Sequence, residues 1–373
     1  MKIAMIGQKQ IPSRAGGIEV AVEALSTRMV SEGHQVTLYN QRRSWKERKL
    51  NKEKGHQRNY RGIRICEVPV INIKGVSAAT RSFFATVCAV CGKYDCIHFH
   101  AEGPSAMAFL PHRFGIRTIV TIHGLDWQRS KWGKFASWYL KHGEKTAVAC
   151  ADEIIVLSRA MQQYFWETYH RDTSLIPNGI EKPEKKEARV ITRQWGLQKD
   201  NYILYLGRIV PEKGLENLIR AFLHVKTDKK LVISGAPSDT EAFYKKLQKL
   251  AEDDDRIVFT GFVKGVALEE LYSNSYLYCL PSEVEGMPIS LLEAMSYGNC
   301  CVCSDIAECV EVMGEYGYLF EKGNVKDLRN VLQKLCRTPK LIEECRERVS
   351  DYVCQKYNWD EITEKTLALY KKG

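Results

Sequence analysis

Short apolar runs alternate along this chain with longer segments in which apolar positions recur every three or four residues. The first runs are Lys2–Ile6, Val36–Tyr39, Ile63–Val68, Cys96–Phe99, Thr118–Ile122, Glu153–Leu157 and Ser174–Ile176. A second series comprises Tyr202–Leu206, Leu231–Ser234, Arg256–Thr260, Tyr276–Leu280, Cys300–Ser304 and Gly317–Phe320. Runs this short and continuous read as strands buried on both faces. Between them, Glu19–Glu32, Leu215–Val225, Thr240–Glu252 and Val325–Arg337 carry helical spacing. Such alternation predicts parallel sheets with helices on both faces. The series restarts after the charged stretch Glu181-Lys-Pro-Glu-Lys-Lys-Glu187, which reads as a linker. Residues 1–182 and 183–356 then form two doubly wound α/β domains, with ligands expected at the carboxyl ends of their strands.

A chain of 373 residues suits two domains of ordinary size. At 45% hydrophobic and 27% charged it reads as soluble and globular, and it has no run of about 18 apolar residues. Met1–Gly7 is too short an apolar run for a signal peptide and reads as the first strand. The thirteen cysteines are scattered and odd in number, which predicts free thiols in a reducing cytosol. Cys88-Ala-Val-Cys91 stands alone and predicts no zinc site. The net charge of +10 favours anionic partners such as sugar nucleotides, acidic lipids or nucleic acid. It is concentrated in Arg42–Arg64, where ten Lys/Arg face only Glu47 and Glu53.

The densest chemistry lies in Glu285-Gly-Met-Pro-Ile-Ser-Leu-Leu-Glu293. One carboxylate is set in a loop and a second within the helix that follows. Pro288 suits the first helical turn, and Gly286 lets the loop approach a ligand closely. The exposed N–H groups of the helix start favour an anion such as a diphosphate. A sugar nucleotide presents hydroxyls, diphosphate and ribose hydroxyls in the same order. Cleaving a sugar–phosphate bond places negative charge on the leaving diphosphate, which calls for fixed cations. Arg208 and Lys213, in Tyr202-Ile-Leu-Tyr-Leu-Gly-Arg208-Ile-Val-Pro-Glu-Lys213-Gly214, follow a strand and flank a turn. Gly16-Gly17 sits between the first strand and its helix, where backbone amides can cradle phosphate or sugar. His123-Gly124 closes the strand Thr118–Ile122.

In this order the segments resemble the retaining glycosyltransferases of the large family 4, whose signature is two glutamates separated by seven residues. Ser13-Arg14-Ala15-Gly16-Gly17-Ile18-Glu19 is similar to bacterial rhamnosyltransferase-like members. The resemblance covers essentially the whole chain. It implies the GT-B fold, two Rossmann-like domains facing an interdomain cleft, with residues 357–373 crossing back to the N-terminal domain and Trp359 anchoring that crossing. It implies donor binding by Gly16, Gly17, Arg208, Lys213, Glu285, Gly286, Met287, Pro288 and Glu293, and catalysis by Arg208, Lys213, His123 and Glu285. Glu285 would hold sugar hydroxyls, Glu293 the ribose, and His123 the donor sugar near its primary carbon. Asp126 is a candidate base or a turn residue beside Trp127, and Asn178 a candidate for the hinge or the active-site floor. The acceptor hydroxyl would attack from the leaving-group face and pass its proton to a diphosphate oxygen. The implied donor is a UDP-, dTDP- or GDP-linked sugar, with no metal or other cofactor.

Two basic and aromatic stretches predict an acceptor at an anionic membrane surface. They are Arg42–Arg64, with Trp45 and Tyr60, and Trp127–Tyr139, with Trp132, Phe135 and Trp138. The expected acceptor is a lipid-linked or oligosaccharide one, met by a cytoplasmic enzyme peripheral to the inner membrane face. No nucleic-acid module is readable. The fold class also contains sugar-nucleotide epimerases, which need no acceptor, and pyridoxal phosphate-dependent phosphorylases, for which no lysine segment stands out. His98, His100 and Glu102 lack a clear third metal ligand and read as core or acceptor-site groups. Asp253-Asp254-Asp255 reads as a solvated turn.

Overall fold

A computed structural model describes residues 1–14, 16–42, 58–71, 73, 76–128, 133–238 and 240–371. The chain divides into two units, Met1–Asn178 with Trp359–Gly373, and Gly179–Asn358. In the first unit the strands are β1 (Lys2–Ile6), β2 (Gln35–Gln41), β3 (Asn59–Tyr60), β4 (Ile63–Val68), β5 (Cys96–His100), β6 (Arg117–Ile122), β7 (Glu153–Val156) and β8 (Ser174–Leu175). Their order is β3-β4-β2-β1-β5-β6-β7-β8, parallel except for the β3–β4 pair. β2 runs past its apolar stretch because Asn40 and Gln41 pair with Glu67 and Val68 of β4. Ladder pairing, rather than hydrophobicity, sets that end.

The second unit holds β9 (Tyr202–Leu206), β10 (Lys230–Ser234), β11 (Ile257–Gly261), β12 (Leu277–Leu280), β13 (Cys301–Ser304) and β14 (Tyr318–Phe320). They run parallel in the order β11-β10-β9-β12-β13-β14. The strand order therefore reverses between β9 and β12, and in the first unit between β1 and β5. At each reversal the flanking connections diverge and leave a crevice at the carboxyl ends of the strands.

The helices follow their predicted faces. In Leu215–Phe222, residues Leu215, Leu218, Ile219 and Phe222 are wholly buried, one stripe of a 3.6-residue period. Helix Val190–Trp195 has no cap of its own. The buried Glu270 carboxylate supplies one, accepting from the amides of Arg189 (3.0 Å), Val190 (2.7 Å) and Ile191 (3.0 Å). Helix Trp359–Lys371 packs within the first unit on helix Gly17–Ser31. Its Trp359, Ile362, Leu367 and Tyr370 join that core, and Arg28 pairs with Asp360 at 2.8 Å.

Of the basic segment Arg42–Arg64, residues 43–57, including Trp45, lie outside the described residues. Tyr60 forms the sheet edge and donates to Glu23 at 2.8 Å. Residues 129–132, including Trp132, also lie outside the described residues, as does Ala15. The Asp253–Asp255 stretch is a turn in which Asp254 pairs with Arg256 at 2.6 Å. The thirteen cysteines are free thiols. Among the described residues no helix is long and apolar enough to cross a membrane.

Candidate active site

In the second unit the reversal point is built from two loops. After β9 comes Gly207-Arg208, held by the buried Tyr205, whose hydroxyl donates to the Arg208 carbonyl at 2.8 Å. The 3-10 turn Pro211–Lys213 follows, and Gly214 opens the next helix at φ 66°. After β12 the loop runs from Pro281 to Pro288. The Glu283 amide donates to the Glu212 carbonyl at 2.9 Å, which ties the loops together. A Cβ on Gly214 would stand 1.9 Å from the Pro281 carbonyl oxygen. Gly214→Ala is therefore expected to cost about 3 kcal/mol through overpacking and left-handed strain, and to depress activity as the loops separate. Urea unfolding and a turnover assay check it; an unchanged midpoint refutes the close approach.

That approach brings Lys213 Nζ onto Glu285 Oε1 in an ion pair whose side chains are only 13% and 8% exposed. Arg208, on the same loop as Lys213, is half-buried and has no carboxylate partner among the described residues. Gly286, Met287 and Pro288 are buried. Pro288 stands just before helix Ile289–Ser296 rather than in its first turn. Its ψ of 94° is extended, and its carbonyl accepts from the Leu292 amide at 3.2 Å. Glu293, four residues past Ile289, is half-buried and accepts from the Tyr272 hydroxyl at 3.0 Å. Tyr278 reaches Ser290 Oγ (2.8 Å) and the Leu206 carbonyl (3.1 Å), bracing the helix start against β9. Glu308 stands near Glu285, and burial, reinforced by that charge, raises its carboxyl above the usual range.

The sequence reading missed this supporting set of Tyr205, Tyr272 and Tyr278. It also missed Glu212, a buried carboxylate without a hydrogen-bond partner among the described residues. For Tyr205 and Tyr278 the available signal was a tyrosine within an otherwise aliphatic strand; Tyr272, in helix Val266–Asn274, and Glu212 carried none.

In the first unit the reversal point carries histidines. Gly7, at the end of β1, has φ 146°, and a Cβ there would stand 2.3 Å from the His100 carbonyl oxygen. His98 and His100 are wholly buried, with ring centroids 4.1 Å apart. His98 Nδ1 meets the Tyr370 hydroxyl at 2.5 Å and its Nε2 meets Thr121 Oγ1 at 2.7 Å. His100 Nδ1 meets His123 Nε2 at 3.0 Å. Burial lowers all three, His98 to about 3 and His123 to about 4, although the Asp126 charge opposes the shift at His123. The rings are therefore neutral at pH 7.

Ala101, between His100 and Glu102, has φ 78° and ψ 161°, a region L-residues rarely adopt. Glu102 is wholly buried, and burial with the charges of Asp126 and Glu144 pushes its carboxyl far up, into the neutral form. Glu144 stays charged by accepting from Trp127 Nε1 (2.9 Å), the Tyr164 hydroxyl (2.8 Å), Lys141 (2.9 Å) and Tyr169. These bonds pin the short helix Asp126–Gln128 and so place Asp126. At Gly16 the Glu19 carboxylate fills part of the helix start, 2.6 Å from the position of a Cβ, and accepts from the Lys9 amide at 3.0 Å. Arg14 is exposed, and Asn178 is the buried last residue before the second unit. Among the described residues no three His, Cys, Asp or Glu cluster as a metal site.

Two doubly wound units, with polar groups gathered where each strand order reverses, define the GT-B class. The family comparisons carry this to the chain itself. Residues 15–182 match the model "Glycosyltransferase Family 4" and residues 188–371 match "Glycosyl transferases group 1". The chain is a GT-B glycosyltransferase, an enzyme of the glycosyl-transferring class. It is 25% identical to the uncharacterized glycosyltransferase MJ1607 of Methanocaldococcus jannaschii, over 100% of this chain and 98% of that one. It is 29% identical to the uncharacterized glycosyltransferase YqgM of Bacillus subtilis, over 57% of this chain and 59% of that relative's length. It is 24% identical to the capsular polysaccharide biosynthesis glycosyltransferase CapM of Staphylococcus aureus, over 65% of this chain and 68% of that one. Among solved structures it is similar to Anabaena HepE in complex with UDP-glucose (TM-score 0.78, 16% identity, 98% of this chain and 99% of that one).

Proposed function

We propose that this enzyme transfers a hexosyl or rhamnosyl group, with retained configuration, from a UDP-, dTDP- or GDP-linked sugar to a lipid-linked or oligosaccharide acceptor in cell-surface polysaccharide synthesis. The observation that carries the reading is the buried Lys213–Glu285 pair, with half-buried Arg208 on the loop of Lys213 and half-buried Glu293 in the helix that follows the loop of Glu285. A cation held by a carboxylate in a dry site is already desolvated and oriented. On donor binding Lys213 would exchange Glu285 for a diphosphate oxygen, and Arg208 would take a second oxygen through its fork. The released Glu285 would hold sugar hydroxyls, while Glu293, oriented by Tyr272, would hold the ribose. Gly286, Met287 and Pro288 would set the backbone against the diphosphate. Glu19 already brings negative charge to the Gly16-Gly17 turn, so that turn suits the sugar better than the phosphates.

In the transfer step the acceptor oxygen bonds to the anomeric carbon from the leaving-group face. The anomeric carbon–oxygen bond to the diphosphate breaks, and the acceptor proton moves to a diphosphate oxygen. His123 would hydrogen-bond the donor sugar. The two cations suit the leaving charge without a metal ion. HepE in complex with UDP-glucose supports a nucleotide-sugar donor, and CapM supports a polysaccharide product.

A thermal-shift screen of nucleotide sugars tests the donor, since a ligand at a hundred times its Kd adds about 2.7 kcal/mol. Glu293→Ala is expected to weaken nucleotide affinity about tenfold with a smaller change in kcat, read by calorimetric titration. Unchanged affinity removes Glu293 from the nucleotide site. The anomeric configuration of the product, read by NMR, tests retention.

Contact with the inner face of the membrane is part of the same proposal. Phe135 and Trp138 are 71% and 61% exposed at the start of helix Lys134–Cys150. Exposed aromatic side chains beside basic ones suit an anionic lipid surface, with about 1 kcal/mol per basic residue. Absence of flotation with anionic vesicles at low salt would remove that element.

A further inference from the structure

We propose that His100 is a positioning residue that fixes the tautomer of His123, so that His123 carries its proton on Nδ1 and offers a donor to substrate. The bond between His100 Nδ1 and His123 Nε2, 3.0 Å long, can be made in two ways between neutral rings. If His123 donates, the His100 proton must sit on Nε2. That atom is buried and has no partner among the described residues, so the arrangement buries an orphaned N–H. If His100 donates from Nδ1, its Nε2 is left as an unpaired acceptor, which folded proteins tolerate more readily than an unpaired donor. His98 cannot rescue the first arrangement. Both of its nitrogens are engaged, by Tyr370 and Thr121, and it meets His100 ring to ring.

The second arrangement therefore holds, and His123 Nε2 is consumed as an acceptor. The remaining proton of His123 lies on Nδ1. His123 is half-buried whereas His98 and His100 are wholly buried, so His123 is the ring with surface left for a ligand. A neutral Nδ1–H donates to an oxygen lone pair and cannot accept a proton there. Within the proposed function, on which this role in substrate binding rests, His123 would orient a sugar hydroxyl rather than serve as the base. Gly7 and the strained Ala101 keep the His100 backbone in place for this.

The tautomer can be read directly in protein carrying imidazole-15N histidine, with long-range proton–nitrogen correlation spectra at pH 7 and His123 assigned through His123→Gln. The expected His123 pattern is a protonated Nδ1 and an unprotonated Nε2. In His100→Phe, His123 should revert to the Nε2–H form that free histidine favours, with kcat/KM reduced about tenfold. His100→Asn, whose amide can donate from a similar position, should restore both the Nδ1–H signature and most of kcat/KM. An Nε2–H form in the wild type, or an unchanged His123 pattern in His100→Phe, overturns the proposal. The wild-type spectrum decides alone if the variants fail to fold. Unchanged turnover in His123→Ala would instead strike His123 from the proposed function and leave the tautomer assignment standing.

Discussion

Lys213→Met should lower turnover by about 10²–10³, the usual loss on removing one preorganised charge stabiliser. The same variant should weaken the second unit by about 3 kcal/mol, because Glu285, 8% exposed, is left charged without its partner. The double variant Lys213→Met/Glu285→Gln separates the two effects. It leaves no unpaired buried charge, so stability should recover by most of that amount while turnover stays low. Steady-state kinetics and urea unfolding of the four proteins give the cycle. Full activity in Lys213→Met, or no recovery of stability in the double variant, would falsify the paired-site reading.

Acidification should loosen the first unit before carboxylates in general are protonated. His98 and His100 are wholly buried and neutral in the fold, with lowered pKa values. In the unfolded chain they charge below about 6.5. The unfolded state therefore binds more protons, and stability falls as pH drops from 6.5 toward the folded values. At pH 5 each wholly buried ring costs roughly 2 kcal/mol, about 4 for the pair, and half-buried His123 adds in the same direction. Glu102 runs the other way, since it is neutral in the fold and ionised when unfolded above about 4.5. It offsets roughly half of that loss over the same interval. For the two wholly buried rings and Glu102 the expected net loss from pH 6.5 to 5 is about 2 kcal/mol, rising to about 4 in Glu102→Gln, and His123 enlarges both. Tryptophan fluorescence reports it, because Trp195 is the one tryptophan of the second unit. A flat profile in Glu102→Gln would mean that the histidines are not held neutral.

The alternation of short apolar runs with helical periods determined two doubly wound sheets, since a strand buried on both faces needs helices above and below it. The spacing from Glu285 to Glu293 determined that one carboxylate stands in a loop and the other in the following helix. Arg208 and Lys213 were legible because a strand end followed by a glycine-bearing turn places cations at a carboxyl edge. Tertiary structure alone decided what these groups touch. Lys213 meets Glu285 across 72 residues, and His98 meets Tyr370 across 272. Both contacts depend on strand order and on the last helix returning to the first unit's core, which local periodicity does not encode. His100 read as a core or acceptor-site residue until the parallel register of β5 and β6 set it beside His123. Periodicity reports which face of an element is buried; the partner on that face is chosen by the packing of distant segments.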